Sequence, residues 1–355
     1  MEILFEILRC ALLKQPYMGS LSASQFREVL KQAEEQAVFG IVFDAIKEKK
    51  IEGLTDNMPI YNAVAMQEQI KRQNKLVNQR TETLANIFAS WNYKTCVLKG
   101  QGVAQLYPNP ILRQSGDIDI WVNGLQSDIV TKLKNNYIGI RNIDYVHSGC
   151  AFYDDVEVEV HFRPSWMYNP FKNRILQKFF RENAKDQFDN NDSKVGFSYP
   201  TIEFNLVYSL IHINRHIFEE GIGLRQLCDY YYILKHSSKE ERDRAFVVLT
   251  ELGLRKFVGA IMYIEETVLS IDKEFLLCKP NDKEGRFILE EIIRGGNFGH
   301  YDERNKFYSK DERIQRGLFT LKRNMRYLRH YPSEVFWKPL WQLWHWCWRK
   351  RKGYL

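Results

Sequence analysis

Gly116-Asp117-Ile118-Asp119-Ile120 decides how the rest of this chain reads. Side chains alternate across a β-strand, so Asp117 and Asp119 share one face while Ile118 and Ile120 occupy the other. Two carboxylates about 4 Å apart repel by on the order of 4 kcal/mol at an effective dielectric near ~20. A fold carries such a pair cheaply only where a cation neutralises it or one member holds a proton. Taken alone, the dyad also fits a strand edge with two solvated aspartates. The neighbouring segments favour the first reading.

Upstream, Cys96-Val97-Leu98-Lys99-Gly100-Gln101-Gly102 is an apolar strand ending in a lysine and two glycines. A glycine after a strand lets backbone amides approach a ligand closely, and a following helix would turn free N–H groups toward phosphate. Downstream, Val156-Glu157-Val158-Glu159-Val160-His161-Phe162 alternates, with its valines on one face and Asp155, Glu157, Glu159 and His161 on the other. Three strands with polar groups on one face can converge on a metal site. For the third strand, the acidic face of an exposed sheet is the competing reading.

Leu98-Lys99-Gly100, Leu106-Tyr107-Pro108, Arg113, Gly116-Asp117-Ile118-Asp119 and Glu159-Val160-His161 together resemble the DNA polymerase beta-type nucleotidyltransferase superfamily. More narrowly, they resemble its bacterial uncharacterised nucleotidyltransferase family. The motif core covers residues 95–163, and weaker similarity extends over most of the chain, including Arg225 and Asp229. One departure is Gly100-Gln101, where the superfamily usually has Gly-Gly or Gly-Ser. The resemblance implies that Asp117, Asp119 and Glu159 hold one or two Mg²⁺ or Mn²⁺ ions around a nucleoside triphosphate, and that these three are the catalytic residues. Glu157, one pleat away, is the rival for the third carboxylate. Lys99, Gly100, Gly102, Arg113, Gly116 and Arg225 are the implied nucleotide-binding set. For Arg113 the competing reading is a surface loop cation. Hard oxygen ligands suit Mg²⁺ or Mn²⁺, and the Cys/His set expected for zinc is missing.

The implied reaction is Mg²⁺-dependent transfer of a nucleoside monophosphate from a triphosphate to an acceptor hydroxyl, with release of pyrophosphate. The acceptor stays open between a small molecule, a sugar, a protein side chain and an RNA end, because many sites have been grafted onto this fold. The departure at Gln101 motivates an alternative, a catalytically silent nucleotide-binding or regulatory module. No P-loop signature occurs, which disfavours a hydrolytic ATPase.

The chain has 355 residues, 45% of them hydrophobic, enough for a sizeable core. Its six cysteines are scattered without a C-x-x-C pair, as in a reducing cytoplasm. Acids interrupt the apolar start Met1-Glu2-Ile3-Leu4-Phe5-Glu6, unlike a secretory signal, and no run reaches the ~20 apolar residues a membrane crossing needs. The net charge of +7 is compatible with an anionic ligand but does not by itself argue for nucleic acid.

The expected architecture is α+β: a helical N-terminal region (1–92), a small mixed β-sheet nucleotidyltransferase core (93–185), a helical C-terminal domain (199–332) and a Trp/basic amphipathic tail (333–355). Periodicity predicts a helix over 22–49 and one long helix over 60–91, with Val64, Ile70, Leu76, Leu84, Ile87 and Phe88 among its apolar positions. Ser127 or Asp128 is the expected cap of a helix ending near Asn135, and two or three strands follow before Phe162. The polar stretch Asp186–Ser198 marks the domain boundary. Beyond it, helices are expected over 200–218, 224–236, on to 294, and 311–330, with a loop at Gly295–Gly299.

His212 and His216 sit one helical turn apart, a chelating spacing that lacks a third ligand and reads better as a packed or phosphate-facing pair. Arg225 and Asp229, four apart, form either a structural ion pair or a buried pair that orients Arg225 toward the nucleotide. The tail places Trp337, Trp341, Trp344 and Trp348 on one helical face, before Arg349-Lys350-Arg351-Lys352. That face fits packing within the chain or in an oligomer, a membrane surface contacted through 337–352, or stacking on nucleic-acid bases. The expected location is cytoplasmic, with the tail peripheral to the inner face of the membrane in the second case. An acceptor presented at that surface is compatible with the chemistry.

Overall fold

The dyad segment runs into the second strand of a five-stranded mixed sheet in a computed structural model that describes residues 1–192, 194–305 and 322–354. The strands are β1 (Thr95–Leu98), β2 (Ile118–Val122), β3 (Gly139–Arg141), β4 (His147–Ala151) and β5 (Val158–His161), in spatial order β1-β2-β5-β4-β3. Within this sheet only β2 and β5 pair in parallel, and the intervening helix Gln126–Asn135 and β3–β4 hairpin supply the long connection that a parallel pair requires. With helices on both sides in sequence, the architecture is the expected α+β one.

The alternation read from the sequence places the two faces of the sheet in two apolar clusters. Ile118, Ile120 and Val122 join Val158, Val160 and Phe162 in one of them, against the helix Gln126–Asn135 and the long helix Met58–Ser90. On the other face Trp121 packs on Phe188 and Phe204, with ring centroids 4.5 and 6.0 Å away, in the larger helical core. That core draws on helices from Glu2–Leu12 near the start to Asp282–Gly295, and it also takes in Tyr327 and Tyr331.

The long helix spans 33 residues, as its periodicity predicts, but its buried stripe differs in composition. Ala63, Gln67, Ile70, Asn74, Val77, Thr81, Leu84 and Phe88 alternate steps of four and three, whereas Val64 is exposed. The amide donors of Gln67 and Asn74 on this stripe hold carbonyls of other segments, while the Asn74 Oδ1 has no partner among the described residues. Gln67 donates to the Gly40 carbonyl at 3.0 Å, and Asn74 donates to the Ile111 and Arg113 carbonyls at 2.9 and 2.6 Å. Asn74 thereby holds the loop that leads into the dyad.

Four further sequence expectations need correction or completion. The helix expected over 22–49 is two helices, Ala23–Glu35 and Phe39–Ile46, because Ala37 turns left-handed at φ 56°. The break is tertiary. Buried Gln36 accepts from Leu224 N at 3.1 Å and reaches the Ile292 and Ile293 carbonyls, tying three helices together. The helix Gln126–Asn135 starts after Leu125 without a side-chain cap, ahead of both Ser127 and Asp128. Residues 186–198 carry the end of the helix Pro170–Asp189 and a short ribbon of Asn191–Asp192 with Phe197–Ser198. The helix expected over 311–330 falls partly outside the described residues; 322–328 is helical.

Glu265, in the helix Arg255–Thr267, is fully buried, and neither carboxyl oxygen has a hydrogen-bond partner among the described residues. Burial pushes its pKa well above the ordinary carboxylate value. The folded chain therefore holds a proton that the unfolded chain releases. The resulting stability is complete below the ordinary pKa near ~4.3. It is lost as pH rises toward the folded value, by about 1.4 kcal/mol for each pH unit crossed. In urea unfolding between pH 5 and 8, Glu265→Gln should flatten this decline. Parallel pH profiles for the two proteins would contradict the assignment.

Candidate functional site

Strand register assembles the site. Leu98 lies opposite Asp119, and Asp119 lies opposite Glu159 in the parallel pair. Directly opposed residues project to the same face, so the Asp119 and Glu159 carboxylates stand side by side, with Asp117 two residues before Asp119. One oxygen from each of Asp117, Asp119 and Glu159 lies within 4.8 Å of the others. Glu157 precedes β5, is exposed and stays outside this group; its carbonyl accepts from Ile118 N at 2.9 Å.

Two cations offset the crowding. Lys99 Nζ lies 2.8 Å from Asp119 Oδ1, and His161 Nε2 lies 2.9 Å from the same oxygen. His161 also contacts the Arg163 carbonyl through Nδ1 at 3.2 Å and Glu159 through Nε2 at 3.5 Å. Burial opposes its charge, but the bonds to Asp119 and Glu159 push its pKa up to about 9, so the ring is an imidazolium donating from both nitrogens. Burial likewise disfavours charge on Asp119 and Glu159. Lys99 and His161 reverse this at Asp119, and the two histidines with Lys99 reverse it at Glu159, so both carboxyls sit below their ordinary values. Asp117 goes the other way: the Asp119 charge, aided by burial, raises it to about 6. The repulsion inferred from the sequence thus falls on Asp117.

The Lys99-Gly100 turn is left-handed at both residues, with φ 55° and 41°. The first is uncommon for a side-chain-bearing residue, and the second is suited to glycine. The helix that follows, Gly100–Ala104, has only five residues, so it adds little macrodipole. Gln101 turns inward and donates to Asn78 Oδ1 at 2.6 Å. Gly102 is also buried, and a Cβ there would lie 2.7 Å from Tyr199 Cβ, so its small size serves packing. Neither Gln101 nor Gly102 lines the cavity described next.

Lys99, Gly100, Gly116 and the three carboxylates open onto a cavity of about 430 Å³. Arg113 and Arg225 reach it too, but in an arrangement the sequence did not suggest. Arg113 is buried, and its Nε and Nη2 each lie 2.7 Å from an Asp229 oxygen, while Tyr107 Oη donates to Asp229 at 2.7 Å. Arg113 is therefore no surface cation, and the expected Arg225–Asp229 bridge is replaced by Arg113–Asp229. Arg225 donates through Nη1 to the Gln114 carbonyl at 3.0 Å, and its Nε has no hydrogen-bond partner among the described residues.

On the opposite walls the sequence singles out His212 and His216 as a packed or phosphate-facing pair, but not Ser209, His147 or the closing role of the tail helix. Ser209, His212 and His216 project from the helix Ile202–Glu219 at helical spacing, with the two imidazoles 4.2 Å apart. Burial pushes both histidines below their ordinary pKa, and neither belongs to a clustered metal-ligand set among the described residues. His147 faces His161 across β4–β5, and together with Glu159 the pair forms a second group with ligand atoms within 4.8 Å. Its signal was the β4 position beside an already suspected His161. The tail helix Pro332–Lys352 closes the far side. Trp341 stacks on Trp166 at 4.8 Å, and His345 Nε2 accepts from Tyr145 N at 3.2 Å. A second cavity of about 460 Å³ borders Lys14, Lys49 and Tyr107 but holds no such carboxylate group.

A family model described as uncharacterised nucleotidyltransferase matches residues 22–270. No curated protein and no solved structure matches the chain. The matched segment contains every site residue from Lys99 to Asp229, whereas Trp341 and His345 lie beyond it.

Proposed function

The chain belongs to the uncharacterised nucleotidyltransferase family, and on that premise we propose that it transfers a nucleoside monophosphate from a nucleoside triphosphate to an acceptor hydroxyl, releasing pyrophosphate. The observation that carries this reading is the clustering of Asp117, Asp119 and Glu159 on a cavity that also receives Lys99, Gly100 and Arg225. Three carboxylates form a hard donor set suited to Mg²⁺ or Mn²⁺. The raised pKa of Asp117 is what a site short of positive charge produces. A divalent ion held by these three would stabilise charge on the phosphates and acidify the acceptor hydroxyl.

The remaining roles belong to the chain's own side chains. Lys99 rests on Asp119 and is placed to pair with a phosphate oxygen. Arg225 is committed only to a carbonyl, which leaves guanidinium N–H groups for the polyphosphate. Arg113, held by Asp229, acts as a positioning residue for the loop before the dyad. Gln101, whose departure from the superfamily pattern motivates the alternative of a silent module, is directed away from the cavity.

Incubation with labelled nucleoside triphosphates, Mg²⁺ or Mn²⁺ and a panel of hydroxyl acceptors tests the reading. Transfer should vanish with chelator. It should fall on the order of 10²-fold or more in Glu159→Gln, and stay within about twofold of wild type in Glu157→Gln, an exposed surface change. The reverse ranking of these variants would overturn the assignment of the third carboxylate.

His161→Gln keeps a donor near Asp119 but removes the charge. Loss of such a support costs about 10–100-fold in metal affinity or activity. The expected signature is a higher Mg²⁺ requirement, with transfer partly restored at high Mg²⁺. An unchanged Mg²⁺ dependence would remove His161 from this role.

A further inference from the structure

The C-terminal helix has an outer face that the transfer reaction does not use. From Phe336 to Trp348 it contains one lysine or arginine and no acid: Lys338. That lysine is turned inward, only 6% exposed, and donates to the Phe218 carbonyl at 2.9 Å. Outward at helical spacing stand Phe336, Leu340 and Leu343, exposed by 63, 46 and 62%, with Trp346 half-exposed beside them. Phe171, itself exposed at the start of the helix Pro170–Asp189, meets the inner neighbour Trp337 at 6.3 Å and adds to the apolar surface. Four consecutive cations follow, Arg349-Lys350-Arg351-Lys352.

Scattered exposed apolar residues need no explanation, but a stripe without charge on an outer helix face does. Tryptophan is common where an apolar phase meets water, and a basic cluster at one end matches an anionic surface. No helix among the described residues is long and apolar enough to cross a bilayer, so the helix would lie on the surface. We propose that the outer face of Pro332–Lys352 docks on an anionic lipid surface. Phe336, Leu340 and Leu343 would enter the acyl boundary, and the cations 349–352 would pair with headgroups. The inner face of the same helix carries Trp341 and His345 into the cavity. Docking would therefore bring one cavity wall to the membrane, where a lipid-linked acceptor could be presented. The docking itself is independent of the nucleotidyl-transfer reading.

Co-sedimentation of the full chain with vesicles provides the test. Binding is expected to phosphatidylcholine vesicles containing about a third phosphatidylglycerol, to weaken with salt, and to be far weaker with phosphatidylcholine alone. Lys350→Gln/Arg351→Gln/Lys352→Gln should lose about fivefold per charge, on the order of 100-fold together. Leu340→Ser/Leu343→Ser should lose about tenfold or more, while Leu340→Met/Leu343→Met retains binding and unfolds at the wild-type temperature. Absence of binding to anionic vesicles at low salt overturns the proposal, as does unchanged binding by the serine variant. So does wild-type self-association that the serine variant abolishes without any vesicle binding, since a second copy would then be the occupant.

Discussion

Asp119→Asn is expected to reduce nucleotidyl transfer by on the order of 10³-fold while leaving the chain folded. Asp119 is 2% exposed and touches Lys99 and His161, with the Glu159 carboxylate within 4.8 Å across the strand pair. Asparagine keeps its shape but removes the charge around which the two cations are arranged. A single preorganised electrostatic group contributes about 10²–10³ in rate, and Asp119 combines that role with a ligand position. A second consequence can be checked without turnover. The charge of Asp119 is the main cause that lifts Asp117 to about 6, so NMR titration should find the Asp117 carboxyl lower in the variant. Transfer within tenfold of wild type would refute the role given to Asp119.

Asp229→Ala is expected to have the largest effect on stability. Arg113 is 5% exposed, and its guanidinium is held at both Nε and Nη2 by Asp229, which also accepts from Tyr107. Removing the acid leaves a buried cation without its partner, which costs about 3–5 kcal/mol. Removing both charges as Arg113→Met/Asp229→Leu should recover most of that loss, because a buried pair gains little over a well-packed apolar one. Tyr107→Phe should cost only about 1 kcal/mol. Denaturant unfolding of the three variants reads these differences directly. A single substitution costing less than about 1 kcal/mol would show the pair to be unimportant.

The sequence exposed the parts of the site that depend on local periodicity. Alternation alone put Asp117 and Asp119 on one face, and the Val158-Glu159-Val160-His161 pattern placed Glu159 and His161 together. The family resemblance preferred Glu159 over Glu157, and its physical ground is the register, which pairs Asp119 with Glu159. No local pattern encodes that pairing. Long-range polar anchors were equally hidden. Arg113 and Asp229 are 116 residues apart, and the i,i+4 spacing to Arg225 suggested the wrong partner. Asn74 and Gln67 reduce the amphipathic contrast of the long helix while holding carbonyls that no sequence window connects to them. The break at Ala37 lacks glycine or proline, because Gln36 fixes it through contacts with distant helices. The tail's aromatic face was visible as a face. That Trp341 would roof the cavity was not, since its partner Trp166 lies far back in the chain.

Manganese binding followed by electron paramagnetic resonance tests the central claim most directly, with a non-hydrolysable triphosphate analogue present. The wild-type chain should immobilise one or two Mn²⁺ ions per molecule in a nucleotide-dependent manner, and Asp117→Asn/Asp119→Asn, folded by circular dichroism, should immobilise none. Equal uptake by the two proteins, or wild-type uptake indifferent to nucleotide, would contradict the account.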